Sequence, residues 1–332
     1  MATWDADSIL ALARNFMECR ILLTAAELDL FTLLSHRTLS TEEIARRISG
    51  DRRALTILLD ALAAMGLLTK QDTGYRCEQA LAEILAADQP NSVLPMVLHS
   101  AALWHSWSAL TDIVRGAVEA CRHAHGPHGP KNTAAFIGAM HVVSVGRAPA
   151  LVAAAGAGAA RALLDVGGGS GTYTSAFLRA APQMRATLFD LPEVIELARR
   201  RLFSEGLLDR VALVAGDFYH DELPGGHDLA LLSAIIHQNS REQNIDLYRK
   251  VWAALVPGGR LLIRDHVMSP DRLEPREGAI FAVNMLVRTP GGNTYTFEEI
   301  EADLLAAGFE RVRLIQRGEK MTGLVEAFRP SR

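Results

Sequence analysis

The chain has 332 residues, 49% of them hydrophobic and 22% charged, which suggests two domains and excludes collagen, coiled-coil arrays and a disordered chain. A formal net charge of −4 argues against bulk binding to nucleic acid or an anionic membrane. The three cysteines, Cys19, Cys77 and Cys121, have no CxxC spacing, which fits a reducing, cytoplasmic setting and not a disulfide scaffold.

Asp5 and Asp7 stand where a targeting peptide needs basic residues. Residues 8–85 then read as helices with short turns. Ile21, Leu22, Ala25, Ala26, Leu28 and Leu30 give a helical stripe leading to Phe31 and Leu34. Ser40 or Thr41 is placed to cap a helix with Glu42 and Glu43 in its first turn. The next helix, about 53–65, ends at Gly66. Asp72-Thr73-Gly74 is a turn between short extended pieces, 67–69 and 75–77. Three helices followed by a small hairpin is the order of a winged helix. Residues 92–120 are helical again, with Trp104, Trp107, Leu110 and Ile113 on one side. Residues 121–131 are rich in Gly, Pro and His and read as a loop without a standard zinc spacing. Residues 133–160 return to helix, and the uncharged run between Arg147 and Arg161 is too short to span a bilayer.

From Arg161 short apolar runs alternate with helical segments. The runs are 162–166, 186–189, 211–214, 229–232 and 261–264, and segments such as 193–205 and 241–255 are long enough for crossover helices. This is an α/β pattern: a Rossmann-like, doubly wound parallel sheet. Runs 312–315 and 323–328, separated by Arg317-Gly318-Glu319, suggest a C-terminal antiparallel hairpin. The chain therefore divides at 1–95, 96–160 and 161–332.

The first strand runs into Asp165-Val166-Gly167-Gly168-Gly169-Ser170-Gly171. Such glycines let the backbone turn tightly and approach a ligand, with free N–H groups of the next helix close by. The spacing is neither the GxGxxG of a dinucleotide site nor a P-loop. The second strand ends at Asp190, whose carboxylate can accept hydrogen bonds from ribose hydroxyls. The third ends at Gly216-Asp217-Phe218, a carboxylate for an exocyclic amine beside an aromatic for a purine face. The plainer alternative is a tight strand–helix turn with two capping aspartates.

These three motifs resemble the S-adenosylmethionine (SAM) motifs of class I methyltransferases. Over roughly 10–328 the chain resembles the small-molecule O-methyltransferases of plants and bacteria, which carry an N-terminal winged-helix dimerisation domain. Leu59-Asp60-Ala61-Leu62 and Gly66-Leu67-Leu68 match that domain's pattern. The resemblance implies a homodimer that binds SAM, with Asp165 in the loop motif and Gly167, Gly169 and Gly171 along the methionine part. It places Asp190 on the ribose, Asp217 and Phe218 on adenine, and Ser233 where many plant members have lysine. Residues 96–160 become a helical linker and active-site roof, and 161–332 the catalytic domain.

The resemblance also places a general base in the loop after the fourth strand. His237 matches the histidine of a Leu-His-Asp-Trp-like motif, while Gln238 and Asn239 depart from it. Asp265, 28 residues further on, matches a carboxylate that orients the base. A second carboxylate, expected after Gly291-Gly292, is replaced by Thr294. An imidazole suits a phenol better than an aliphatic alcohol. Family pocket positions fall at Trp104, Phe136, Met140 and His141 on the roof, and at Asn284 and Met285 opposite. The implied activity is methyl transfer to the hydroxyl of a small aromatic or heteroaromatic acceptor. Alternatives are C- or N-methylation with a metal on His237, Asp265 and His266, a SAM-binding protein without activity, and a DNA reader. Two points weigh against them. Adjacent strand residues such as Asp265 and His266 should face apart. The helix over 51–65 offers only Arg52 and Arg53 before Leu, Ile and Ala.

Overall fold

A computed structural model describes residues 4–90, 92–118, 130–156 and 158–332. Cys121, His123, His125 and His128 lie outside the described residues. The chain forms two compact units, Met1–Trp104 and His105–Arg332.

The first unit contains α1 (Ala6–Glu27), α2 (Leu30–Leu34), α3 (Thr41–Ile48), α4 (Arg52–Ala64), β1 (Thr69–Gln71), β2 (Gly74–Arg76) and α5 (Gln79–Leu85), and most of α6 (Leu94–Ser108). Local sequence sets these boundaries. Ser40 and Glu43 form a capping box at α3, with the Ser40 N–H donating to Glu43 Oε2 at 2.9 Å and the Glu43 N–H to Ser40 Oγ at 3.3 Å. Asp51 caps α4 by accepting from the Ala54 N–H at 2.7 Å. Each cap contributes about 1 kcal/mol. Leu55, Leu59 and Leu62 of α4 join Leu30, Phe31, Leu34 and Ile44 in one core. The N-terminal half of α1 has no such cover: Ile9 is 49% exposed and Leu12 and Phe16 are 53% exposed.

The second unit begins with α7 (Leu110–Val114), α8 (Pro130–Val145) and α9 (Ala148–Ala155). The helix expected over 133–160 is broken, and its two parts meet at 60°. Gly146 weakens the helix there, and Pro149, in the first turn of α9, has no N–H to continue the ladder. Among the described residues no single helix is long and apolar enough to cross a membrane.

The remaining strands are β3 (Ala162–Val166), β4 (Arg185–Asp190), β5 (Val211–Ala215), β6 (His227–Ser233), β7 (Leu255–Asp265), β8 (Val267–Met268), β9 (Tyr295–Thr296), β10 (Glu310–Gln316) and β11 (Gly323–Phe328). Between them run α10 (Thr172–Ala180), α11 (Pro192–Ser204), α12 (Arg241–Ala254), α13 (Arg276–Arg288) and α14 (Phe297–Ala306). Seven strands make one sheet, in the order β10-β11-β7-β6-β3-β4-β5, while β8 pairs separately with β9. β3 to β7 are parallel, and β11 lies antiparallel between β7 and β10, as the C-terminal hairpin required. One face packs on α12 and α14 through Leu247, Tyr248, Val251, Ile300 and Leu304. The other packs on α9, α10 and α11 through Val152, Phe177, Leu178, Ala198 and Leu202. Burial on both faces explains the unbroken apolar runs of the central strands. β7 begins six residues earlier than expected, because Leu255 pairs with His227 before the register shifts. Chain order reverses at β3, between β4 and β6, so the ligand crevice lies outside the C-terminal ends of these strands.

Candidate active site

At the end of β3 the chain turns through Gly167 and Gly169, with φ of +67° and +57°. A side chain there costs about 1–2 kcal/mol in backbone strain. Gly171, at φ +78°, starts α10. A Cβ on Gly169 would find nothing nearer than Ile137 Cδ1 at 3.9 Å, so this part of the loop is open. Asp190 tethers it, accepting from the N–H groups of Gly169 and Leu191 at 2.7 Å each. Burial pushes the Asp190 carboxyl up to about 6, against the pull of those two bonds. Asp165 has a different role. It is 1% exposed, accepts from Thr174 Oγ1 at 2.6 Å and lies beneath Gly168. Its carboxyl, raised by burial to about 6, joins β3 to α10 and shapes the loop without reaching the crevice.

Beyond β5, Asp217 Oδ1 accepts from the Tyr219 N–H at 2.9 Å, and the Asp217 N–H donates to Asp221 Oδ2 at 2.8 Å. Lys250 of α12, a lysine without any local motif around it, secures this turn. Its Nζ donates to the carbonyls of Phe218 and Asp221 at 2.9 Å. Phe218 reaches the glycine loop, its Cε1 being 3.8 Å from a Cβ built on Gly167. At the end of β6, Ser233 Oγ is buried and without a hydrogen-bond partner.

After Ser233, Ala234 adopts φ +59° and a single 3-10 turn, Ile236–Gln238, presents His237. His237 Nδ1 lies 2.9 Å from each oxygen of Asp265, and the His266 N–H adds a bond to Asp265 Oδ1 at 2.8 Å. Burial would raise the Asp265 carboxyl, but the His237 charge and these hydrogen bonds outweigh it and hold the group below the ordinary carboxylate range. With Nδ1 engaged, Nε2 is the nitrogen left to exchange a proton. The surrounding loop is cross-braced. Asn239 accepts from Tyr219 Oη at 2.5 Å and donates to Asn244 Oδ1 at 3.0 Å, which explains an asparagine at this departure from the motif. The Asn293 N–H donates to the His237 carbonyl at 2.9 Å, and a Cβ on Gly292 would stand 2.5 Å from that carbonyl oxygen. Thr294 Oγ1 donates to the Gly278 carbonyl at 3.3 Å, away from His237.

The His237 and His266 rings both pack on Phe281, at 4.9 Å and 5.1 Å between centroids. β7 ends at Asp265, so the pleat does not govern His266. Among the described residues no group of three His, Cys, Asp or Glu side chains is arranged to hold a metal ion.

The expected pocket residues separate. Trp104 belongs to the first unit and lies under the Arg20 guanidinium, 5.4 Å from it. In the second unit Trp107 Nε1 donates to Asn284 Oδ1 at 3.1 Å, and Asn284 and Met285 are both buried on α13. On α8, Phe136 is 37% exposed and Met140 partly buried. His141 Nδ1 is 2.9 Å from Thr172 Oγ1, at the start of α10. Burial and the nearby Arg201 push His141 down to about 4, so it is neutral at pH 7.

A parallel sheet with this strand order, a glycine loop tethered by a carboxylate and a buried His–Asp pair on the same edge form a crevice of the kind that binds nucleotide-type ligands in doubly wound folds. The O-methyltransferase domain model matches residues 107–310, and the O-methyltransferase dimerisation domain model matches residues 10–88. The chain belongs to this O-methyltransferase family and is a SAM-dependent methyltransferase with an N-terminal helical dimerisation domain. It is 32% identical over 311 residues to the tetracenomycin polyketide synthesis 8-O-methyl transferase of Streptomyces glaucescens, covering 92% of this chain and 91% of that one. It is 31% identical to the 3-hydroxy-5-methyl-1-naphthoate 3-O-methyltransferase of Streptomyces sahachiroi over 92% of this chain and 90% of the relative. The solved structure of PigF with SAH is similar at a TM-score of 0.89 and 25% identity, over 98% of this chain and all 100% of that one. The residues present fit SAM: an open glycine loop, carboxylates at two strand ends, an aromatic beside the loop and an unpaired Ser233 hydroxyl.

Proposed function

We propose that this enzyme methylates a hydroxyl group on a small aromatic or heteroaromatic acceptor, with His237 as general base and Asp265 as its orienting group. The observation that carries the reading is the buried His237–Asp265 pair, bonded at 2.9 Å through both carboxylate oxygens on the crevice edge. When bound, SAM supplies an activated methyl group on a positive sulfonium. The chain's own residues do the rest. Asp190 would hold the ribose, and Asp217 with Phe218 the adenine. Asp265 keeps the Nδ1 proton in place, so that Nε2 takes the proton of the acceptor hydroxyl. The imidazolium so formed is stabilised by the same carboxylate. Holding oxygen and methyl in line contributes most of the acceleration, and the base adds about 10²–10⁴-fold. Asn284, Met285, Phe136 and Met140 would line the acceptor side, with Trp107 fixing the Asn284 amide. Their mixture of apolar surface and few polar groups suits a flat ring. The two Streptomyces relatives are named for aromatic acceptors, which supports the same class.

His237→Ala should lower kcat by about 10²–10⁴-fold while S-adenosylhomocysteine binds within about twofold of wild type. Unchanged kcat would remove the base role. We also read the first unit as a winged helix that forms a homodimer, supported by the exposed apolar half of α1 and the dimerisation-domain match. Sedimentation at micromolar concentration should give twice the chain mass, and a monomer there would contradict it. A cytoplasmic setting, supported by the unpaired thiols of Cys19 and Cys77, completes the reading.

A further inference from the structure

β7 ends in two consecutive charged residues on opposite faces of the sheet. Asp265 meets His237. Arg264 is 3% exposed, yet among the described residues its guanidinium forms no ion pair and no side-chain hydrogen bond; the Asp265 carboxylate acts on it only through its charge. It lies over the ring of Tyr173, 5.5 Å from the centroid. A guanidinium is expensive to bury without a partner, and a fold that keeps one there keeps it for an anion.

Two further polar groups on this face lack partners. Tyr173 stands two residues after Gly171, in the first turn of α10, and its buried hydroxyl has no hydrogen bond. Ser233 lies directly opposite Arg264 in the β6–β7 ladder, so both side chains leave the sheet on the same side. Its Oγ is also buried and unpaired. Arg147, at the start of α9, adds a second positive charge that acts on Arg264. The face therefore offers one planar, forked cation and two hydroxyl donors. That donor set matches the two oxygens of a carboxylate.

We propose that Arg264, Tyr173 and Ser233 form a carboxylate-binding site beside the glycine loop. The inference rests on the reading of the enzyme as SAM-dependent. Two ligands could bring the carboxylate: the methionine end of SAM, or an acid group on the acceptor. The position of Tyr173 just past the glycine loop favours the first. In that case Arg264 supplies, from the next strand, the cation that Ser233 lacks.

The test is calorimetry on the full chain with S-adenosylhomocysteine and with 5′-methylthioadenosine, which has the same adenosine end and no amino-acid end. Arg264→Gln should weaken S-adenosylhomocysteine by about 10- to 100-fold, the loss expected for a charge-assisted hydrogen bond, and leave 5′-methylthioadenosine within about twofold. Arg264→Lys should recover part of the loss. Tyr173→Phe, which keeps the ring under the guanidinium and removes only the hydroxyl, should cost about 3- to 10-fold on S-adenosylhomocysteine alone. A second titration adds a hydroxynaphthoate, or the matching naphthol, to the S-adenosylhomocysteine complex. Loss of the acid alone in Arg264→Gln, with S-adenosylhomocysteine unaffected, would support the site and assign its carboxylate to the acceptor. Unchanged binding of both acids would overturn the proposal, as would equal weakening of the two adenosine ligands, since Arg264 would then only support the fold. If wild type binds neither adenosine ligand, the SAM reading fails first and the proposal falls with it.

Discussion

The C-terminal edge of the sheet is built differently on its two sides. Along β3, β4 and β5 the main chain does most of the work. Gly167 and Gly169 occupy left-handed conformations, and Asp190 grips two backbone N–H groups. Along β6 and β7 the side chains do it: His237 on Asp265, Asn239 between Tyr219 and Asn244, and Arg264 over Tyr173. A site made of backbone is fixed once the chain folds. A site made of side chains depends on which nitrogen or oxygen carries a proton. Asp190 and the His237–Asp265 pair should therefore fail in different ways, the first by losing affinity and the second by losing turnover.

The largest expected effect is on turnover. Asp265→Asn keeps the volume and can still accept from the His266 N–H, but its amide can now donate to His237. The imidazole would then rest in the wrong tautomer, with Nε2 protonated and unable to act as a base. We expect kcat to fall by about 10²–10⁴-fold, with S-adenosylhomocysteine affinity within about twofold. Parallel losses in affinity and turnover would show that the two sides are one coupled structure.

Asp190→Ala should give the reverse. It removes the tether on Gly169 and the proposed ribose acceptor together, so S-adenosylhomocysteine affinity should drop by about 10- to 100-fold, while kcat at saturating SAM changes less than about tenfold. Calorimetry and saturation kinetics on the same preparation separate the two terms. A larger loss in kcat than in affinity would contradict a purely binding role.

The same division governs what the sequence reveals. β3 and β11 have the limits expected from their apolar runs, and β4 to β6 lie within two residues of them, because buried parallel strands leave a plain pattern. The glycine loop was readable because left-handed backbone restricts the residue type, and Asp190 and Asp217 stood out by their places at strand ends. His237 and Asp265 came through the family motif, and the structure puts them in contact. Other features left no local signal. Lys250 looks like any surface lysine on α12, and its bonds to the Phe218 and Asp221 carbonyls depend on how α12 packs. Arg264 interrupts an apolar run, and only the ladder with Ser233 shows which face it takes. The position of His266 beside Phe281 depends on where β7 ends, which the alternation pattern cannot give. Asp165 sits in the loop motif like a ligand-facing residue, and only its bond to Thr174 reveals a supporting part.

That supporting part predicts the smallest effect, on stability. Burial raises the Asp165 carboxyl from an ordinary 3.8 to about 6. A group whose pKa is raised by folding stabilises the fold in its protonated form. The contribution is fully present below the unfolded value and is lost as pH rises through about 6. Asp165→Asn, which keeps an acceptor for Thr174 and carries no charge, lacks this dependence. Wild type should therefore lose stability relative to the variant between about pH 4 and pH 7, by up to about 3 kcal/mol. At about 2–4 °C per kcal/mol for a unit of this size, melts across that range should separate the two proteins by several degrees. A pH-independent difference would mean that the carboxylate finds compensation beneath Gly168 beyond Thr174. The backbone-built side of the edge would then carry no protonation dependence of its own, which would belong to the His237 side alone.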